Sequence, residues 1–131
     1  MMPFSQKDPR WANMGIGLPM KSFGCYVCSL ACILGITPDN VLVKLMEHNC
    51  FTDNGSLLNY KAMETLGFST YEKLFPNAIV SYPIIAETDH FASLNYPRHF
   101  FVMLDSLTCL DPLDGQKKPN IYNIVSYRYF A

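Results

Sequence analysis

The sequence predicts an α+β fold, with helices first and an antiparallel sheet after them. Three observations carry that prediction. Apolar residues recur at helical spacing between residues 25 and 66. Short β-branched and aromatic runs separated by turn residues fill the chain from residue 78 to 129. The connections between those runs are too short for helical crossovers, so neighbouring strands should be antiparallel. With 131 residues, 50% of them hydrophobic and 16% charged, one compact domain over residues 1–131 is expected.

The elements follow in order. Residues 1–24 hold Pro3, Pro9 and Pro19 with Gly15, Gly17 and Gly24, which suits an extended arm laid over a core. From Cys25 to Leu34 almost every side chain is apolar, so a buried helix is expected, stopped by Gly35. Thr37-Pro38-Asp39 reads as a helix start, with Thr37 as N-cap and Val41, Leu42, Leu45 and Met46 on the inner face. After the turn Asp53-Asn54-Gly55, Ser56 is expected to cap a third helix that ends at Gly67. Strands are expected over Ala78–Val80 with Pro83–Ala86, over His99–Leu104, over Thr108–Leu110 and over Ile121–Tyr129.

Composition narrows the function. Ten Lys+Arg against 11 Asp+Glu give a net charge of −1, which excludes a broad basic footprint for nucleic acid. No apolar run approaches the length of a membrane span. The N-terminus lacks a basic segment followed by an apolar core, so no signal peptide is expected and synthesis in the cytoplasm is. Five cysteines, an odd number, argue against a disulfide scaffold. Cys25, Cys28 and Cys32 share one helix face, and Cys28 and Cys32 read as small core residues. A zinc site lacks a second ligand pair, since Cys50 beside His48 is isolated. A redox pair of Cys25 and Cys28 lacks the strand that normally precedes it.

Cys25 differs from the other four. It follows Gly24 at the point where the arm becomes a helix, and there the helix dipole favours a thiolate. A nucleophilic thiol needs a base and a group to orient that base. His99 begins the run HFFVML, and Asp105-Ser106 turns the chain back toward Asp111. A hairpin centred near residue 105 puts Asp111 within about one residue of the position opposite His99. A carboxylate beside a histidine fixes its tautomer and supports the imidazolium. His90 is the second choice of base, and His48 suits a helix C-terminus for structural reasons. Asp105 and Asp114 read as turn residues, and Trp11 reads as core or groove rim.

Ser5-Gln6-Lys7-Asp8-Pro9-Arg10-Trp11 resembles the opening Gln-x-Asp-x-x-Trp signature of a bacterial and phage group of papain-like cysteine peptidases, the peptidase family C thirty-nine-like group. Phe23-Gly24-Cys25-Tyr26-Val27-Cys28-Ser29-Leu30-Ala31 is similar to its nucleophile motif, and Thr37-Pro38-Asp39-Asn40-Val41 to the helix start that follows. Arg98-His99-Phe100-Phe101-Val102 resembles its base strand, and Leu110-Asp111-Pro112-Leu113-Asp114-Gly115 its Asp-Pro-x-x-Gly element. The resemblance runs in order over nearly the whole chain. It implies a papain-like fold, a catalytic triad of Cys25, His99 and Asp111, and amide hydrolysis through a thioester without metal or cofactor. It also implies phage lysins or virion proteins that cut peptidoglycan peptides, acting at the cell wall or in a virion beside other lysis or virion proteins. Leader peptidases of the related exporters carry an oxyanion Gln shortly before the nucleophile, where this chain has Pro19 and Met20, which leaves Gln6 as the oxyanion candidate. The alternatives are a catalytically silent papain-like module for binding or virion assembly, a peptide-processing protease, and a Cys25–Cys28 redox protein.

Overall fold

The computed structural model describes residues 1–16, 18–20, 24–91 and 98–131; Gly17 of the arm and Phe23 of the nucleophile motif lie outside them. After a two-residue β-pairing in the arm, the described helices precede a six-stranded antiparallel sheet, an α+β arrangement.

Helix α1 spans Cys25–Leu34 and buries every residue from Cys25 to Cys32, so its nearly all-apolar sequence has an interior to fill. Its one hydroxyl, on Ser29, donates back to the Cys25 carbonyl at 2.8 Å. Gly35 closes the helix in the left-handed conformation (φ 71°), and its N–H donates to the Ala31 carbonyl. Helix α2, Pro38–Glu47, has Thr37 at its N-cap in extended conformation. The Thr37 hydroxyl does not cap the backbone, however; it accepts from the Asn40 side-chain amide at 2.9 Å. Helix α3, Asn59–Thr65, starts three residues after the expected cap. Ser56 is tied into the preceding turn instead: its N–H donates to Thr52 Oγ1 and its carbonyl accepts from the Thr52 N–H. None of the described helices is long and apolar enough to cross a membrane.

A two-residue pairing of β1, Gly15–Ile16, with β2, Leu18–Pro19, ends the arm. The main sheet holds β3 (Tyr71–Leu74), β4 (Ile84–Thr88), β5 (His99–Met103), β6 (Thr108–Asp111), β7 (Gln116–Pro119) and β8 (Ser126–Phe130), in the order β3-β8-β4-β5-β6-β7. The expected strands at β4, β5, β6 and β8 are present, with β8 starting at Ser126 rather than Ile121. Asn120 and Tyr122 are tied to each other by two hydrogen bonds, which holds that stretch in a turn. Ala78–Val80 is a connection, not a strand, and Ile79 is fully exposed. Strands β3 (YEKL) and β7 (QKKP) escape sequence reading because they are the two edges. Lysine and proline there protect an open edge, and they hide the alternation that marks inner strands.

Strand alternation sorts the core into two faces. On one, Ile85, Phe100, Val102, Leu110 and Phe130 meet α1 and α2. On the other, Ile84, Ala86, Phe101, Met103, Cys109 and Tyr127 pack with Tyr122. One stacked pair fixes where α1 begins against the sheet: the Tyr26 ring lies on the Phe100 ring, centroids 4.1 Å apart and nearly parallel. Those rings belong to the residues directly after Cys25 and His99.

The start of α1 depends on the absence of a side chain at position 24. The Gly24 N–H donates to the Met20 carbonyl at 2.7 Å, and a Cβ there would meet that oxygen at 2.5 Å and the Met20 sulfur at 2.8 Å. Gly24→Ala is therefore expected to lower stability by about 2 kcal/mol. Gly35→Ala, whose methyl meets nothing within 4 Å but whose φ is +71°, should cost about 1 kcal/mol. Denaturant midpoints of the two variants decide the ranking; an unshifted midpoint for Gly24→Ala would show that the arm moves aside without cost.

Candidate active site

Cys25 is the first residue of α1 and only 6% exposed. Its N–H lies in the first turn, where backbone N–H groups point out along the helix axis and the dipole is positive. The Tyr26–Phe100 stack holds this turn beside the first residue of β5, His99. The other thiols have different surroundings. Burial pushes Cys28 well above the ordinary thiol range, and pushes Cys32 and Cys109 up to about 11. All five cysteines are free thiols.

His99 is 1% exposed and its Nε2 lies 2.8 Å from Asp111 Oδ1. The hairpin that joins them is shifted by two residues from the expected register. Val102 faces Leu110 and Met103 faces Cys109, so Asp111 falls opposite Phe101 and diagonal to His99. Both residues stay on the same face, and a diagonal neighbour is within reach of a side chain as long as histidine. Thr88 lies opposite His99 on its other side. The rings of Phe91, Phe101 and Tyr122 surround the imidazole, with centroids 5.4, 6.0 and 5.5 Å away.

Burial by itself would keep that ring neutral. The hydrogen bond to Asp111, and then the side chain of Cys25, outweigh it and raise the His99 pKa to about 9. Nε2 is engaged by Asp111, and Nδ1 is buried with no hydrogen bond of ordinary length among the described residues. Cys25 is the other side chain that raises the proton affinity of the ring. Asp111 is also buried, and burial alone would favour its neutral form. Hydrogen bonds from His99, Tyr122 and the Leu113 N–H overcome that and hold its pKa well below the usual carboxylate range.

Gln6 is fully buried, and its backbone N–H donates to the Pro112 carbonyl at 2.7 Å. The arm is thus fastened to the residue after Asp111. Trp11 belongs to the core rather than a groove: it is 1% exposed, and its indole N–H donates to the Ser5 carbonyl. His90 is exposed and its ring edge meets Tyr122, while the carboxylate goes to His99. His48 caps the C-terminus of α2 with its Nδ1 at 3.0 Å from the Lys44 carbonyl. Asp105 accepts two backbone N–H bonds in the β5–β6 turn, and Asp114 accepts from Gln116 and pairs with Lys118.

Two residues at the site were not legible in the sequence. The Tyr122 phenol donates to Asp111 Oδ2, and Lys118 Nζ lies 3.0 Å from the same oxygen. Tyr122 sits in an aromatic stretch and Lys118 in a short basic one, so nothing local marks either. The β6–β7 register would have marked Lys118: it faces Cys109, on the same face as Asp111. Among the described residues, no group of three His, Cys, Asp or Glu side chains is arranged to hold a metal ion.

The His99 shift gives stability a pH dependence of known sign. Its folded pKa of about 9 exceeds the ordinary 6.5, so its contribution is complete below about 6.5 and is lost as pH rises through 9. Between about pH 6.5 and 8.5, the protein should lose about 2 kcal/mol that a His99→Asn variant does not lose. Denaturant unfolding at several pH values measures this. Parallel curves for the two proteins would mean that the imidazole gains no proton affinity on folding.

The chain has no significant match among models of known protein families, curated proteins or solved structures, so its function is read from the chemistry of these side chains.

Proposed function

We propose that this chain is a cysteine peptidase or amidase of papain-like fold, with Cys25 as nucleophile, His99 as general base and acid, and Asp111 as the group that orients His99. One observation carries the proposal. A buried imidazole is hydrogen-bonded to a buried carboxylate at 2.8 Å and is made strongly basic, in part by a thiol at a helix N-terminus. A ring with a pKa near 9 is an imidazolium at neutral pH, which favours a thiolate partner. No metal or cofactor is required by this chemistry.

The steps follow from the roles. The Cys25 sulfur adds to an amide carbonyl, and the oxyanion is held by the Cys25 N–H together with the Gln6 side chain. His99 gives its proton to the leaving amine, and a thioester forms. His99 then takes a proton from water, which attacks the thioester and frees the acid and the thiol. Asp111 stays ionised throughout and keeps the ring in one orientation. Peptidoglycan peptides, cut by a lysin or virion enzyme, are the proposed substrates, by resemblance of the five motifs quoted above.

A silent module of the same fold is the second reading, and the burial of Cys25 and His99 favours it, since substrate must reach both. Chemical labelling and product analysis together separate the two. Iodoacetamide at neutral pH should modify Cys25 ahead of the other four thiols, and His99→Ala should slow that reaction while His90→Ala does not. With muropeptides from several cell walls, wild type should release products identifiable by mass, Cys25→Ala none, and Cys50→Ser the wild-type amount. Hydrolysis should fall as pH rises through about 9, where the leaving amine loses its proton donor. Even labelling of all five thiols would reject the nucleophile. Selective labelling without any muropeptide product would reject the wall substrate and leave a peptide-processing protease or the silent module.

A further inference from the structure

Asp111 needs one carboxylate oxygen to hold His99, and the fold does something separate with the other. Oδ1 accepts from the His99 ring at 2.8 Å and from the Leu113 N–H at 3.0 Å. Oδ2 accepts from the Tyr122 phenol and from the Lys118 ammonium. The two donors reach it from different elements. Tyr122 comes from the turn between β7 and β8, and Lys118 from β7 itself. Lys118 is 29% exposed, and its ammonium bridges Asp111 Oδ2 and Asp114 Oδ2, each at 3.0 Å.

A histidine that must both hold and give up a proton is served poorly by a bare buried carboxylate. Full negative charge at that distance, in a medium of low dielectric, would hold the proton too tightly for transfer to a leaving amine. A cation on the far oxygen offsets part of the charge and leaves the hydrogen bond on the near oxygen intact. A phenol on the same oxygen keeps the carboxylate from turning. We infer that Lys118 and Tyr122 are positioning residues of the site: Tyr122 locks the Asp111 carboxylate toward His99, and Lys118 tempers its charge so that the imidazolium remains an effective acid.

Among the described residues, the titratable groups that bear on this pair come from α1, β5, β6, β7 and the turns beside β7. They are Cys25 from α1, His99 from β5, Cys109 from β6, Asp114 from the following turn, Lys118 from β7, and Tyr122, whose ring also meets His90. Only Lys118 among them puts a permanent positive charge on the carboxylate. A purely structural Lys118, tying the edge strand β7 to β6, would affect stability but leave the basicity of His99 unchanged.

The inference rests on the cysteine-hydrolase reading, and its readout is the ring itself. In protein carrying 13C-labelled histidine, the His99 signal, assigned by its loss in His99→Asn, should titrate near pH 9. Lys118→Met should move that midpoint upward by about half a unit or more, and Lys118→Arg should return it close to wild type. Tyr122→Phe should slow iodoacetamide labelling of Cys25 at neutral pH severalfold, because a carboxylate free to turn supports the imidazolium less well. Circular dichroism of each variant establishes that it is folded before the comparison is made. An unmoved or lowered midpoint in folded Lys118→Met, with Cys25 of wild type selectively labelled, would overturn the role given to Lys118 and spare the hydrolase reading. Unchanged labelling in folded Tyr122→Phe would do the same for Tyr122. Absence of selective Cys25 labelling in wild type would reject the hydrolase reading and this inference with it.

Discussion

The stacking of Tyr26 on Phe100 is the contact on which the site depends. A helix and a sheet that merely share a core can slide against each other by a turn or a residue, and either slip would part Cys25 from His99. Two rings 4.1 Å apart and inclined by 17° allow little of that movement. Both partners are braced. The Tyr26 hydroxyl donates to Asn59 at the start of α3, and the Arg128 guanidinium lies 5.4 Å from the Phe100 ring centre. Arg128 is buried and has a partner for each of its charged ends: Glu87 at 3.3 Å, Tyr71 at 3.0 Å and Ser126 at 3.3 Å. Glu87 is in turn met by the largely exposed Arg98, the residue before His99. A buried polar network of this kind adds little net stability but penalises every arrangement that breaks it. Its effect here is to fix the beginning of β5.

The two faces of the sheet divide the chemistry. Cys25 comes with α1, on the face of Phe100 and Val102, whereas His99 and Asp111 project from the face of Phe101 and Cys109. They meet only because Cys25 begins its helix and His99 begins its strand, so both stand at one end of the sheet. That arrangement shields the His99–Asp111 pair with aromatic rings while the thiol approaches from the helix side. The same rings that complete the second core bury the imidazole, and its basicity comes from Asp111 and Cys25 against that burial.

Much of this was legible in the sequence, and the parts that were not have identifiable reasons. Helix α1 could be bounded to the residue, because an unbroken apolar run between two glycines leaves little choice. Cys25, His99 and Asp111 stood out through position: a helix start, a strand start and a strand end. The register between them did not, since the Asp105 cap moves the hairpin and a two-residue shift keeps every side chain on its face. Edge strands β3 and β7 were hidden by the polar residues that edges need. Tyr122 and Lys118 were hidden because their roles exist only after β7 folds back along β6. The α+β class was fixed by pattern; the second oxygen of Asp111 was fixed by topology.

Five buried free thiols in one small chain raise the question of what distinguishes one of them. Depth does not, because Cys28, Cys50 and Cys109 are all at least as buried as Cys25. Neighbours do. Cys28 and Cys32 lie further along the same helix, away from its positive end, and desolvation there opposes ionisation, offset only in part at Cys32 by the N-terminal ammonium. Cys109 shares a strand with Asp111, and the carboxylate reinforces the effect of burial on its thiol. Cys50 has a hydroxyl partner, Thr65 at 3.3 Å, which supplies no charge. Cys25 is the one that stands at the N-terminus of a helix and beside His99, whose pKa is raised to about 9 in part by that thiol. The selectivity proposed for Cys25 therefore rests on the histidine and on the carboxylate behind it, two steps removed from the sulfur.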